Sequence, residues 1–225
     1  MDETTILQMV LRWIHFVAGI TWIGILYFFN LVNVNFMKGL DGPTKGKVVP
    51  SLMPPALWYF RWGAVVTVLS GLIYFAWIVS AEGTHAALGL WLVMALVLYA
   101  VMYVCIEVAK INKGPVLAVI FALLAIALTF LVRHHTGLAS SRSISIGIGG
   151  GMGLWMFLNV WGIIWRAQKK IIAWTADNAA KGTPIPPEAA ALGRRAFLAS
   201  RTNAWLSLPM LFFMGTASHW PLFGV

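Results

Sequence analysis

The sequence predicts an all-α integral membrane protein, built as a bundle of about six transmembrane helices. Of its 225 residues, 60% are hydrophobic and only 10% are charged, whereas soluble domains carry about 25% charged residues. The apolar residues also gather into six stretches, each near the roughly 20 residues that a helix needs to cross a bilayer. These stretches run approximately over residues 7–36, 56–81, 86–108, 115–132, 144–165 and 204–220. Because the connections between them are mostly short, we expect a single domain over residues 1–225.

The first three stretches each have a clear boundary signal. The first contains WIHFVAGITWIG, residues 13–24, which places His15 inside an otherwise almost wholly apolar helix. The next segment, KGLDGPTKGKVVPSLMPP, is rich in glycine, proline and lysine, which indicates a solvated loop that ends before Ala56. Only a few residues around Glu82 separate the second and third stretches. We therefore expect those two helices to be antiparallel neighbours.

The fifth stretch opens with the glycine-rich segment SISIGIGGGMG. Its glycines pair at four-residue spacing, Gly147 with Gly151 and Gly149 with Gly153. Small residues at this spacing let a second helix or a flat cofactor approach the backbone, and helix packing is the commoner reason. The segment at about 166–203 is the longest one outside the predicted spans. Its TPIPPEAAALGRRAFLASR portion has apolar and basic residues at helical spacing, which predicts a short interfacial helix within a cytoplasmic segment.

Basic residues concentrate on one side of the predicted membrane. Most of the 16 lysines and arginines flank the first, third and fifth loops, whereas the other side keeps Arg12, Arg133 and Arg142. Cytoplasmic loops are enriched in Lys and Arg, so the odd-numbered loops are predicted to be cytoplasmic and both termini non-cytoplasmic. This topology accounts for the formal charge of +9. We therefore expect a lipid bilayer, and no nucleic acid, as the partner of this basic surface.

All five histidines fall on the predicted non-cytoplasmic side. His15 lies one to two turns inside the first helix, where an ionisable residue is costly and usually functional. Gly19, at i+4, leaves the helix surface beside the imidazole open, so the edge of a porphyrin has room there. We interpret His15 as a haem ligand, and further candidates close the fourth and sixth stretches: His134, His135 and His219. The alternative for each is a histidine that bonds water or a carbonyl group at the membrane interface.

Other kinds of site have weaker signals. For His85, beside a short loop, we favour the interfacial interpretation. The sequence has no HExxH, paired-carboxylate or serine-triad pattern, which argues against a hydrolase. The single cysteine, Cys105, cannot form a CxxCH motif, so no c-type haem is attached within this sequence. Methionines at helical spacing in the fifth and sixth stretches suit copper, but such a stripe is more often packing. The sequence identifies no catalytic residue.

Four segments occur in collinear order and cover most of the chain. They are WIHFVAGITWIG with the following LYFFN, then LWYFRWGAVVTVLSG, NVWGIIWRAQKKI and LSLPMLFFMGTASHWPLFG. Together they resemble the membrane-embedded N-terminal domain of the cytochrome c-linked urate oxidase (urate hydroxylase) family. The first helix alone is also similar to that of other small haem-binding membrane proteins, including protoporphyrinogen oxidases.

The resemblance implies a helical membrane domain that oxidises urate to 5-hydroxyisourate without flavin and passes electrons to a cytochrome c. It implies His15, His135 and His219 as ligands of haem iron, with Arg142 beside the cofactor. We therefore expect one or two haem b groups near the non-cytoplasmic face. The sequence lacks the family's cytochrome domain, so the partner is expected to be a separate cytochrome c or a cytochrome c-containing subunit of a larger membrane complex. The resemblance also implies a multi-pass protein of the bacterial inner (plasma) membrane.

Three functions follow from these observations. The first is a haem b-binding membrane oxidoreductase or electron-transfer subunit related to urate oxidase, which exchanges electrons with a cytochrome c on the periplasmic side. The second is a complete urate-oxidising enzyme that uses a separate cytochrome c, and the third is a haem-free structural subunit of a respiratory complex. Gly147 and Thr202 stand where we expect further histidines of the family. We therefore favour the first function over the second.

Overall fold

The computed structural model describes residues 2–224, and all the regular structure in that range is helical. It comprises six continuous helices: α1 (Glu3–Lys38), α2 (Gly42–Ala81), α3 (His85–Val108), α4 (Gly114–His135), α5 (Ser141–Lys181) and α6 (Glu188–Thr216). The predicted all-α class is therefore confirmed. Helices α1 to α5 are long and apolar enough to cross a membrane, which is compatible with a multi-pass membrane protein.

Helix α6 is the exception among the six predicted spans. Its first half carries Glu188, Arg194, Arg195 and Arg201, so its apolar part is confined to residues 204–216. At 1.5 Å per residue this part is about 20 Å long, shorter than a hydrocarbon core of about 30 Å. By length and composition α6 does not qualify as a spanning helix, although its apolar part packs within the bundle.

Helix α2 begins much earlier than the sequence pattern predicts. Asp41 caps its first turn, because the Asp41 carboxylate accepts a hydrogen bond of 2.7 Å from the backbone N–H of Thr44. Hydrogen bonds from Thr44 also lower the pKa of Asp41 from its ordinary value. The helix then continues through Pro50, Pro54 and Pro55, so the predicted solvated loop before Ala56 was wrong. Three prolines cost helical hydrogen bonds, but tertiary packing against the extended end of α5 offsets this cost.

The segment at 166–203 also differs from its sequence-based description. Helix α5 continues to Lys181 and ends at Gly182, whose φ of +69° is a left-handed conformation that glycine adopts without strain. After a short proline-containing connection α6 begins at Glu188. The predicted short interfacial helix is therefore not a separate element but the first half of α6. The connection is short because both helices extend beyond the apolar part of the bundle.

Helix α5 is the central helix of the bundle. In its most apolar window 61% of the residues are buried, against 22% to 39% in the other four candidate spans. Its glycines allow this, because a Cβ atom added at Gly149 would lie 3.1 Å from the carbonyl oxygen of Met210 in α6. A Cβ atom at Gly151 would lie 2.8 Å from the Leu128 side chain in α4. The indole of Trp91 in α3 donates a 2.7 Å hydrogen bond to a backbone carbonyl of α5.

A buried pair of amide side chains also joins α5 to α6. Asn159 donates from Nδ2 to the Oδ1 atom of Asn203 at 2.8 Å, and both side chains are fully buried. Asn203 in turn donates to the carbonyl oxygen of Met156 at 2.9 Å. Buried amides are stable only when they have such partners, so this contact fixes the register between the two helices.

The two ends of the bundle differ in character. At the terminal end, where α2, α4 and α6 finish, the N–H of Phe223 donates to Ser141 Oγ at 3.1 Å, and Ser140 donates to Glu82 at 2.5 Å. At the opposite, basic end, Arg195 forms an ion pair of 3.1 Å with Glu107. The structure does not contain a membrane, so the predicted location of the two ends relative to the cytoplasm remains a prediction.

We expect the substitution Gly149→Val to destabilise the bundle. The added side chain meets the backbone carbonyl of Met210, which cannot move aside, and such overpacking costs about 1–3 kcal/mol. Thermal unfolding of the detergent-solubilised protein should show a lower midpoint. Gly89→Val is the matched control, because nothing lies within 4 Å of a Cβ atom there. Equal midpoints for the two variants would contradict the close packing of α5 on α6.

Candidate functional site

A cavity of about 540 Å³ lies between α1 and α6, and it is closed on its remaining sides by α2, α5 and Trp91 of α3. This volume is in the range of pockets that hold small molecules and cofactors. The wall is mainly apolar and aromatic, with glycine at several positions on three helices: Gly19 and Gly24 on α1, Gly71 on α2, and Gly150 and Gly153 on α5. We refer to it as the His15 cavity, because His15 is the only histidine among its lining residues.

His15 is held in a defined orientation within this cavity. Its ring is half-buried, and its Nδ1 atom lies 2.8 Å from the carbonyl oxygen of Thr67 in α2. A carbonyl oxygen only accepts hydrogen bonds, so Nδ1 carries the proton, and in the neutral imidazole Nε2 then has a free lone pair. Nε2 makes no hydrogen bond to any residue in the range 2–224. This is the arrangement of a metal-ligating histidine, whose other ring nitrogen donates to a carbonyl or carboxylate.

Glycines create the space that the imidazole occupies and the space next to it. A Cβ atom at Gly71 would lie 2.8 Å from Cε1 and 3.0 Å from Nδ1 of His15, so only glycine admits the ring in this position. On α1, a Cβ atom at Gly19 would have its nearest neighbour, a methyl group of Thr67, at 3.8 Å. At Gly24 nothing lies within 4 Å. The helix surface one turn below His15 is therefore open toward the cavity.

The cavity also contains polar groups and soft donors that the sequence reasoning missed. Arg12, one turn before His15, lines it, as does Trp22, whose indole N–H has no hydrogen-bond partner among residues 2–224. Met210 and Met214 line it from α6. The methionine spacing was visible in the sequence, and Arg12 shares a helix face with His15 at i−3. No sequence signal places them on one cavity, because their arrangement depends on how α1 and α6 pack.

The other predicted site residues lie elsewhere. His134 and His135 are exposed at the end of α4, where their rings lie 4.8 Å and 5.7 Å from the Phe130 ring. His219 is exposed beside Trp220. None of the three lines the His15 cavity. Within residues 2–224 no group of three or more His, Cys, Asp or Glu side chains is placed to hold a metal ion. The roles of these histidines as haem ligands therefore stay predictions.

Arg142 lies near the rim of the cavity, without lining it. Its guanidinium group donates to the hydroxyl of Tyr74, and Tyr74 lines the cavity. The guanidinium carbon lies 5.6 Å from the centre of the Tyr74 ring, so both the face and the hydroxyl of this ring contact Arg142. Arg142 therefore fixes a side chain of the cavity wall. Together with Arg12 it gives positive charge to the terminal end of an otherwise apolar cavity.

The geometry combines one preoriented imidazole, an apolar wall with open glycine faces, and cations at one end. Such a site suits a flat, mostly apolar ligand that carries an anionic edge, and it provides one nitrogen donor for a metal at the ligand's centre. The residues that surround the cavity contribute no carboxylate to it. The wall thus offers neither a general acid nor a general base of the carboxyl type.

Comparison with known proteins gives one match. The family model described as Urate oxidase N-terminal matches residues 38–224, from the last residue of α1 to beyond α6. Four of the five helices that line the His15 cavity lie in the matched range, whereas His15 itself precedes it. No curated protein and no solved structure shows a significant match to the chain. Because the match covers far more than half of the sequence, the chain belongs to the urate oxidase N-terminal family.

Proposed function

We propose that the chain is a haem b-binding oxidoreductase or electron-transfer subunit of the bacterial inner membrane, related to urate oxidase. The observation that carries this proposal is the orientation of His15, whose Nδ1–H donates to Thr67 while its Nε2 faces no protein partner. The family relation supports it independently, because members of a urate oxidase family carry out redox chemistry. The electron partner would be a cytochrome c or a cytochrome c-containing subunit.

The residues of the cavity fit a haem in four respects. His15 supplies a neutral imidazole whose tautomer is set by Thr67. Gly19 and Gly24 leave a flat surface that a porphyrin edge can approach. The apolar wall excludes water, and Arg12 offers a cation for a propionate group at the cavity's terminal end. A haem bound there would supply a one-electron redox centre.

A second ligand for a bound haem would come from α6. Met210 and Met214 line the same cavity as His15, and a methionine together with a histidine would raise the reduction potential of the haem. This differs from the sequence-based expectation that His135 or His219 shares an iron with His15. An exposed histidine can still ligate a second haem near the surface. The absorbance spectrum of the purified protein would give the number of haems.

The protein's own residues have three tasks in this proposal. His15 would hold the haem iron, and its hydrogen bond to Thr67 would keep the imidazole ring from rotating away. The Arg142–Tyr74 contact would hold Tyr74 in place within the cavity wall. Electrons would leave through the terminal end, since Ala217 and Ser218 line the cavity there and solvent-exposed Trp220 follows them in the chain.

His15→Ala should remove the haem. Loss of the nitrogen ligand should lower the haem content of the purified protein more than about tenfold, in line with the effects of removing metal-site groups. The readout is the reduced-minus-oxidised absorbance spectrum of protein expressed with excess haem precursor. His85→Ala is the matched control, because His85 is exposed and lies outside the cavity. A wild-type protein without a b-type band, or an unchanged band in His15→Ala, would refute the proposal and favour the haem-free structural subunit.

Gly71→Ala tests the orientation of His15 without removing it. The added Cβ atom would approach Cε1 to 2.8 Å, so the ring must turn away from Thr67. We expect haem affinity to fall by about 10–100-fold, as for other changes that disturb the partner of a metal-ligating histidine. Haem titration followed by absorbance measures this directly. Gly89→Ala, where space is open, should bind haem like the wild type, and an unaffected Gly71→Ala would contradict the orienting role.

Complete urate oxidation is a second candidate function. Two observations favour it: the family match and the placement of Arg12 and the Arg142–Tyr74 pair beside the cavity, where they suit an anionic planar substrate. Urate-dependent reduction of added cytochrome c by the haem-loaded protein tests it. We expect the activity per bound haem to fall at least tenfold in Arg12→Gln if Arg12 contacts the substrate. If the haem-loaded protein does not reduce cytochrome c in the presence of urate, urate oxidation is refuted and only the electron-transfer function remains.

A further inference from the structure

A second pocket lies at the basic end of the bundle, far along α1 from His15. It has a volume of about 580 Å³ and is formed where α1 meets the first half of α6. Three cations line it, Lys38, Arg194 and Arg201, together with apolar side chains such as Leu31, Val34 and Phe197. Its lining includes no carboxylate. We call it the basic pocket.

The cations of this pocket converge without compensation. The guanidinium groups of Arg194 and Arg201 lie 5.7 Å and 5.2 Å from the centre of one ring, that of Phe197. Both charges thus lie beside the same aromatic side chain, and an anion bound there would interact favourably with both. Arg201 is half-buried and forms no ion pair or hydrogen bond with residues 2–224, and Arg194 donates only to the carbonyl oxygen of Asn112. The pocket therefore retains unused N–H donors.

The neighbouring arginine differs from the cations of the basic pocket. Arg195, adjacent in sequence to Arg194, points to Glu107 and forms an ion pair of 3.1 Å with it. Lys38, Arg194 and Arg201 have no carboxylate partner among residues 2–224. The basic pocket therefore brings three cations without an ion-pair partner to one cavity.

The pocket is also amphipathic and lies at the edge of the apolar surface. Leu31 and Phe36, on α1, are 61% and 50% exposed, and α1 ends at Lys38 directly after this apolar surface. A ligand fits this region if its anionic group lies at the cations and its hydrocarbon chain lies along Leu31. A small soluble anion would use only the cationic part.

The walls of the pocket are held together independently of any ligand. Asn30 of α1, only 3% exposed, donates from Nδ2 to the hydroxyl of Ser200 in α6 at 2.9 Å and to the carbonyl of Leu26 at 2.9 Å. This contact ties α1 to α6 directly below the cations. The pocket is therefore preformed, which lowers the entropic cost of binding.

We propose that the basic pocket binds the phosphodiester headgroup of an anionic phospholipid, with its acyl chains along the exposed apolar face of α1. Arg194 and Arg201 contact the phosphate oxygens, since guanidinium groups donate in a fork that matches them. Lys38 adds a third charge, and Leu31 and Val34 contact the first carbons of the acyl chains. Basic pockets between membrane helices are suited to such headgroups. This proposal does not depend on haem binding in the His15 cavity.

The test is a lipid titration of delipidated protein in mild detergent, followed by native mass spectrometry. Dioleoylphosphatidylglycerol is the anionic probe and dioleoylphosphatidylcholine the zwitterionic one. We expect the wild type to bind one phosphatidylglycerol in preference to phosphatidylcholine. Removal of one cation, in Arg201→Gln or Lys38→Gln, should weaken this binding about fivefold, and removal of Arg194 and Arg201 together should weaken it about 25-fold.

Arg166→Gln is the matched control, because it removes an exposed arginine from the same end of the chain but outside the pocket. It should bind phosphatidylglycerol like the wild type, and equal losses in Arg166→Gln and Arg201→Gln would overturn the proposal in favour of unspecific attraction. Glycerol 3-phosphate and inorganic phosphate form a further arm. Competition by either one at the concentration of the lipid would overturn a lipid site and indicate a soluble phosphate ligand. Lys38→Gln keeps the test decisive if the double variant does not fold.

Discussion

The close approach of three helices to α5 is the constraint on which the rest of the bundle depends. At Gly149 and Gly151 the neighbouring atoms of α6 and α4 leave no room for a side chain. In a membrane protein the helices gain little from hydrophobic burial against each other, so close van der Waals packing and buried hydrogen bonds hold them together. The Trp91 indole and the Asn159–Asn203 pair provide such hydrogen bonds along the same helix.

The same run of glycines also shapes the His15 cavity. Gly150 and Gly153 line the cavity, where an added Cβ atom would have no neighbour closer than 3.6 Å. Helix α1 therefore does not pack closely on α5, and the space between them is enclosed by α2 and α6. His15 projects into this space because Gly71 of α2 has no side chain to obstruct it. Neighbouring glycines of one helix thus line both the candidate site and the close helix contacts.

The charged side chains at the two ends of the bundle have different surroundings. At the terminal end Arg12 lines the cavity, and Arg142 contacts Tyr74 of the cavity wall. The basic end has most of the remaining cations, of which Arg195 is paired with Glu107, whereas those of the basic pocket are unpaired. The two candidate sites are therefore separated along the bundle and use different chemistry. One presents a nitrogen lone pair in an apolar cavity, and the other presents cations beside an exposed apolar helix surface.

The sequence by itself determined the all-α class, five long apolar helices and the family, and it singled out His15 as a candidate site residue. These features follow from the composition, from local hydrophobic runs and from a single ionisable residue within one of those runs. It did not determine where α2 and α6 begin, because the packing of α2 against α5 outweighs the local preference of Pro50, Pro54 and Pro55 to end a helix. Only the tertiary structure brought Thr67 and Gly71 to His15, and Met210 to the same cavity, since the distances between them depend on the packing of α1 with α2 and α6. It also separated Arg194, which lines the basic pocket, from Arg195, which pairs with Glu107, because successive residues of a helix point about 100° apart.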